Sequence, residues 1–194
     1  MTLSGWQWAS ALLLLACLAS FVWGMRKFFV QPAGNTTGMR IIGALGLLFG
    51  ALHFMAIFLT NSITGQRGSL AAFLYLCSLG LFWWAIRTNS SARLSAAFSP
   101  DVPVHLVESG PYRFMRHPFY CSYLLAWLAG TIATARWWLL PTVAVMVIIY
   151  WKAARGEEEK FSRSSLAAEY QKYRERTACL LPNPMKLLLA RRLQ

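Results

Sequence analysis

The chain has 194 residues, of which 57% are hydrophobic and only 13% charged, and the apolar residues come in blocks rather than at amphipathic spacing. That pattern excludes a water-soluble domain and gives an all-α, multi-pass membrane protein with about five transmembrane helices. The formal charge of +12 invites a nucleic-acid reading, but there is no separate basic domain and the charges lie in loops between apolar blocks, so no nucleic-acid partner is expected.

In chain order, five segments are long enough to cross a hydrocarbon core of roughly 30 Å at about 1.5 Å per residue. They are residues 6–26, 41–61, 69–87, 119–135 and 137–153. The first reads as a retained helix, because no Lys or Arg precedes it and no small-residue cleavage site follows Cys17. The second carries His53, the one polar oddity among residues 1–86, which suits either a packed side chain or an intramembrane site. Residues 1–87 thus form a three-helix membrane scaffold, and residues 88–194 carry the chemically loaded half of one integrated membrane domain.

Charge orients the spans. Of the 19 Lys and Arg residues, 17 fall on one side, with only Arg67 and Arg136 on the other. The positive-inside rule makes the richer side cytoplasmic, with the N-terminus outside and the C-terminus inside, in the inner membrane of a bacterium or the endoplasmic reticulum of a eukaryote. All seven acidic residues share that side, and the remaining positive excess suits anionic headgroups of the lipid bilayer. Cys17, Cys77, Cys121 and Cys179 are scattered, with neither a disulfide framework nor metal-ligand spacing, so no metal is expected. The sequons at Asn35 and Asn89 lie in loops read as cytoplasmic and are expected to stay unmodified.

A long connection, residues 88–117, leads into the run LVESGPYRFMRHPFY from Leu106 to Tyr120. Its second half reads as a helix start: His117 at the N-cap, Pro118 at the first helical position, and free amides with a positive dipole end facing whatever docks there. The last two spans are separated only by Ala135 and Arg136 and must form a tight helical hairpin. Each arm covers roughly 27 Å by helix rise. The chain therefore returns to its starting depth and delivers Glu157, Glu158 and Glu159 beside Arg116, His117 and Pro118. A plain interfacial salt-bridge cluster is the competing reading. After the glutamates, Phe161, Leu166, Tyr170 and Tyr173 recur near one-turn spacing in an amphipathic cytoplasmic C-terminal helix that ends before Pro182 and Pro184. The tail MKLLLARRLQ has the composition of a membrane-surface anchor.

The ordered combination L-V-x-x-G-P-Y-R-x-x-R-H-P-x-Y, a hairpin, E-E, Y-x-x-Y and a Pro nine residues on resembles the isoprenylcysteine carboxyl methyltransferase family. The phospholipid methyltransferases share much of the pattern. The resemblance covers about residues 104–182 and implies S-adenosylmethionine as cofactor. Carried over by position, Leu106, Val107, Gly110 and Tyr112 would shape the loop against the cofactor. Arg116, His117 and Pro118 would hold its anionic end, and Tyr120 would pack on it. Glu158, with Glu157 or Glu159, would accept from its ribose or amine. Arg174, Glu169 and Tyr170 are the candidates at the reacting end. The family's usual Arg three residues before the closing Pro is Cys179 here, which makes Arg174 or Arg176 the substitutes and leaves the acceptor's orientation open.

The implied activity is methyl transfer, within the membrane, to a lipophilic acceptor that is isoprenylcysteine-carboxylate-like or phospholipid-like. Displacement at a sulfonium depends mostly on positioning and water exclusion. A small-thiol S-methyltransferase of the same family, an NADPH-dependent sterol-type reductase and a non-enzymatic membrane subunit are the alternatives.

Overall fold

The computed structural model describes residues 4–28, 37–89 and 105–180. Six α-helices are described: α1 Gly5–Trp23, continued by a π-helical turn Gly24–Phe28; α2 Thr37–Leu59; α3 Gly65–Thr88; α4 Pro118–Thr134; α5 Leu140–Ser162; and α6 Ala167–Arg176. Among the described residues the regular structure is helical, apart from one parallel β-bridge between Met115 and Ala178. The loop stretch 90–104, the sequon at Asn35, Pro182, Pro184 and the basic tail lie outside the described residues.

Four helical segments are long and apolar enough to cross a membrane: Gly5–Phe28, Thr37–Leu59, Gly65–Thr88 and Trp137–Ser162. The remaining expected span, α4, is shorter at 17 residues and is the central helix, with 12 of its residues buried. Its most extensive partner is α3 rather than its hairpin mate α5. The outward faces of α1, α2 and α3 carry exposed Leu12, Leu47, Phe73 and Leu76, as helices do when lipid surrounds them.

Local chemistry accounts for the helix ends. Ser4 accepts from the Gln7 amide at the start of α1 while the Gln7 side chain answers the Ser4 amide, closing a capping box. The Gln7 side chain also donates to the carbonyls of Ile57 and Thr60, at 3.1 and 2.7 Å. Arg136 from the hairpin turn donates to the Leu59 carbonyl at 2.7 Å, so two side chains satisfy the last carbonyls of α2. The α4–α5 turn is as tight as the sequence requires: Ala135 takes a left-handed conformation, φ 50°, and a 3₁₀ turn over Trp137–Leu139 leads directly into α5.

The C-terminal region differs from expectation in its boundaries. α5 does not stop near residue 153 but runs to Ser162, carrying all three glutamates on a continuous helix. Good helix formers and an i, i+4 pair between Glu159 and Arg163 sustain it beyond the apolar stretch. The expected amphipathic helix is consequently split: Phe161 lies in the last turn of α5, Leu166 caps α6, and only Tyr170 and Tyr173 lie on the ten-residue α6.

Candidate functional site

The site forms where the segment before α4, the far end of α5 and the strip following α6 meet. Pro118 opens α4 with His117 as its N-cap, and the His117 side chain makes no capping bond, leaving its ring to point elsewhere. Two backbone bonds seat this entry: Arg116 N donates to the Ala178 carbonyl at 2.8 Å, and His117 N to the Cys179 carbonyl at 3.1 Å. Gly110 holds the preceding turn at φ +57°, where a Cβ would stand 2.1 Å from the Thr88 hydroxyl oxygen. Tyr112 beside it is buried, its hydroxyl accepting from Asn89 at 3.1 Å and its carbonyl from the Tyr173 hydroxyl at 2.8 Å. Leu106 and Val107 pack on the same aromatic core.

Glu158 is the hub. Its Oε1 accepts from Arg116 Nε at 2.8 Å and lies 3.2 Å from His117 Nε2, while Oε2 stands 3.8 Å from Arg174 Nε. The Arg116 and Glu158 side chains are 8% and 12% exposed, so the pair is close to desolvated. Arg116 also donates through Nη1 to the Thr177 carbonyl at 2.6 Å and the Arg174 carbonyl at 3.3 Å, so Nε and Nη1 are committed and Nη2 makes no hydrogen bond among the described residues. Glu157 sits 3.4 Å from His117 Nδ1 and accepts from the Tyr120 hydroxyl. Tyr120 in turn stacks on Tyr150 with centroids 5.3 Å apart and on His117 at 5.6 Å.

The structure thus separates the three consecutive glutamates. Glu157 and Glu158 face Arg116, His117 and Tyr120, whereas Glu159 turns outward to Arg163. Among the proposed reacting-end residues, Arg174 reaches the cluster and Tyr170 is buried, stacked on Phe161 at 4.7 Å. Glu169 is exposed on the first turn of α6 and makes no ion pair with a described residue. Arg176 is committed to Glu108. Asn89 carried no signal beyond its sequon, yet it is buried at the end of α3 and holds Tyr112 in place.

A cleft of about 670 Å³ opens on the other side of Glu158, lined by Trp151, Lys152, Arg155, Gly156 and Arg174 among others. Of the cluster, Glu158 and Arg174 line this cleft, joined there by Glu159 and Ser162, so a carboxylate acceptor, a guanidinium and the Trp151 ring border the open volume, with Arg116 and His117 reaching it through Glu158. Cys179 adds a sulfur: ligating atoms of His117, Glu158 and Cys179 lie within 4.8 Å of one another. Burial pushes the Cys179 thiol up to about 11, which opposes a thiolate ligand, and the neighbouring Arg116, although it favours the thiolate, repels a metal cation.

Burial by itself would lower the His117 pKa, but the hydrogen bonds it donates to Glu157 and Glu158, with the attraction of their charges, outweigh it and hold the imidazole above its ordinary 6.5. A raised cation pKa stabilises the folded site fully below 6.5, and that contribution is lost as pH rises through the folded value. We expect the His117 ring, followed by NMR in detergent, to titrate above 6.5, and the thermal midpoint to fall over the same interval. A His117→Gln variant should lack that interval. Titration at or below 6.5 in the wild type would contradict the ion-pair geometry.

Comparison with known proteins adds one match. Residues 66–169, from the first turn of α3 through the site loop and the α4–α5 hairpin to Glu169, match the phospholipid methyltransferase family. No curated protein matches the chain at a significant level. The matched stretch is more than half of the 194 residues and contains Arg116, His117 and the paired glutamates. An all-helical membrane architecture and this match lead to one conclusion: the chain belongs to the phospholipid methyltransferase family of membrane methyltransferases.

Proposed function

We propose that the protein transfers a methyl group from S-adenosylmethionine to a lipophilic acceptor at the cytoplasmic face of the membrane. The observation that carries this reading is the Glu158 hub, which gathers Arg116, His117 and Arg174 beside a cleft of about 670 Å³ at the far end of a membrane helix. The donor set fits the cofactor. Glu158 and Glu157 supply acceptors suited to a ribose diol or an ammonium, while Arg116 and His117 supply cationic donors suited to a carboxylate. The Trp151 ring in the cleft wall supplies an aromatic face, while Tyr120, stacked on Tyr150 and His117, backs the imidazole. Bound there, the cofactor would provide an electrophilic methyl group on a sulfonium.

The protein's own part is positioning. Ala178 and Cys179 clamp the backbone of Arg116 and His117, and Tyr173 clamps Tyr112, so the donors are held before anything binds. Burial of Tyr112, Tyr120 and Tyr170 keeps water from the inner wall. Arg174, reaching Glu158 from α6, stands in for the guanidinium that Cys179 does not provide. Glu169, exposed on α6, is at most a proton acceptor at the rim.

The topology that accompanies this reading places the N-terminus outside and the Arg116–Glu158 end in the cytoplasm, supported by the bias of 17 in 19 basic residues. Reporter fusions after Lys27 and Arg93 should then read as cytoplasmic and one beside Arg67 as external. A cytoplasmic signal beside Arg67 would overturn it.

Equilibrium binding to the purified, detergent-solubilised protein tests the cofactor assignment. S-adenosylmethionine should bind and NADPH should not, and His117→Ala should weaken the former by about 1–3 kcal/mol, the worth of a charge-assisted hydrogen bond. Saturable NADPH binding would favour a reductase, and binding of neither a non-enzymatic subunit.

A further inference from the structure

His53 stands inside an apolar run, and nothing at the Arg116–Glu158 end of the molecule uses it. The side chain is fully buried, and its Nε2 lies 2.9 Å from the Thr142 hydroxyl oxygen on α5. Thr142 donates its own proton to the Leu139 carbonyl, 2.7 Å away, so its oxygen is left to accept from the imidazole. The groups around the ring, Thr142, Tyr75, Trp127 and Gly130, are all neutral, and an imidazolium without an anion is costly in such surroundings. The neutral ring therefore carries its hydrogen on Nε2, and Nδ1 is a bare acceptor.

Nδ1 has no hydrogen-bond partner among the described residues. Neither has the hydroxyl of Tyr75 on α3, whose side chain is also fully buried. Both atoms converge on Gly130 of α4, where a Cβ would stand 2.4 Å from Nδ1 and 3.0 Å from the phenol oxygen. These distances bring the two closer together than two hydrogen bonds laid end to end, about 5.6 Å, yet they make no direct bond. A buried donor without an acceptor, facing a buried acceptor without a donor at that separation, suits one small molecule that offers both. With the two atoms this close and both side chains fully buried, the space between them suits a ligand the size of water.

We propose that a single ordered water is bound between Tyr75 and His53, accepting from the phenol and donating to Nδ1. It would join α2, α3 and α5 over the glycine face of α4, about 24 Å along α5 from Glu158 by helix rise. The site assigns roles to His53 and Tyr75, and it explains why residue 130 carries no side chain: a methyl group there would collide with the imidazole. It is independent of the cofactor assignment.

Solid-state NMR of ¹⁵N-labelled protein in bilayers, with magnetisation transferred from water to the protein, tests this. The wild type should show His53 neutral and Nε2-protonated, with Nδ1 at a hydrogen-bonded shift and a water-derived cross-peak to the ring. Tyr75→Phe keeps the packing and should abolish the cross-peak while moving Nδ1 toward the shift of a free imine nitrogen. Gly130→Ala should also lose the cross-peak and melt at a lower temperature. If that variant fails to fold, Tyr75→Phe still decides. A wild-type Nδ1 at the free-imine shift, an absent water signal, or a spectrum unchanged by Tyr75→Phe would each overturn the proposal.

Discussion

Replacing Glu158 with alanine should produce the largest loss of any single substitution at this site. The change removes the acceptor shared by Arg116 and His117 and strands a guanidinium whose side chain is 8% exposed. Breaking a desolvated pair by deleting one partner costs about 3 kcal/mol, because the remaining charge cannot recover its hydration. The bonds from Arg116 to the carbonyls of Thr177 and Arg174 keep the cost from being higher. Thermal unfolding in detergent should therefore shift down clearly, and cofactor binding should be lost. Glu158→Gln, which keeps one oxygen acceptor of the same shape, should recover part of the stability and little of the binding. A Glu158→Ala protein that melts as wild type would show that Arg116 is not held as described.

The second large effect concerns the acceptor. If methyl transfer takes place at the cytoplasmic interface to molecules already in the bilayer, acceptors that share one reactive head should be used in order of tail length. Each methylene withdrawn from water contributes about 0.8 kcal/mol, so eight added methylenes favour the membrane-bound population by roughly 6 kcal/mol. Turnover with labelled S-adenosylmethionine in liposomes, compared at matched total concentration, should rise by orders of magnitude between a short and a long-chain version. Correcting to matched membrane concentration separates partitioning from recognition: a residual preference points to a tail groove in the protein. Faster turnover of a small soluble thiol than of any lipid would remove the enzyme from the lipid-modifying class.

Much of the site was legible because it depends on helix geometry and a few residue types with narrow conformational roles. Pro118 after His117 marks the start of α4, and the two-residue break at Ala135 and Arg136 admits only a tight hairpin. Equal helix rise in the two arms then places the glutamates beside Arg116 without any knowledge of packing. What the sequence did not reveal rests on interactions that leave no residue signature. The strip 177–179 joins the site through backbone bonds to Arg116 and His117, which almost any side chains would permit. Which glutamates face inward depends on the rotational phase of α5, fixed by its packing through Met146, Tyr150 and Ala153 against the aromatic core. α5 is longer than its apolar stretch because hydropathy marks where that stretch ends, whereas a helix continues as long as its residues favour it. Asn89 leaves no mark in the sequence, because a buried amide at a helix end has the same signature as any loop asparagine.

The central claim, that this membrane protein moves a methyl group from S-adenosylmethionine by means of the Glu158 hub, is tested most directly by single-turnover transfer in bilayers. Wild-type protein, and the Arg116→Ala and Glu158→Gln variants, would be reconstituted with a mixed lipid extract and S-adenosylmethionine labelled in its methyl group. Label should move into the lipid fraction with the wild type and fall to the protein-free level in both variants. Label that stays in the aqueous cofactor with the wild type, or enters lipid equally well in all three proteins, would contradict it.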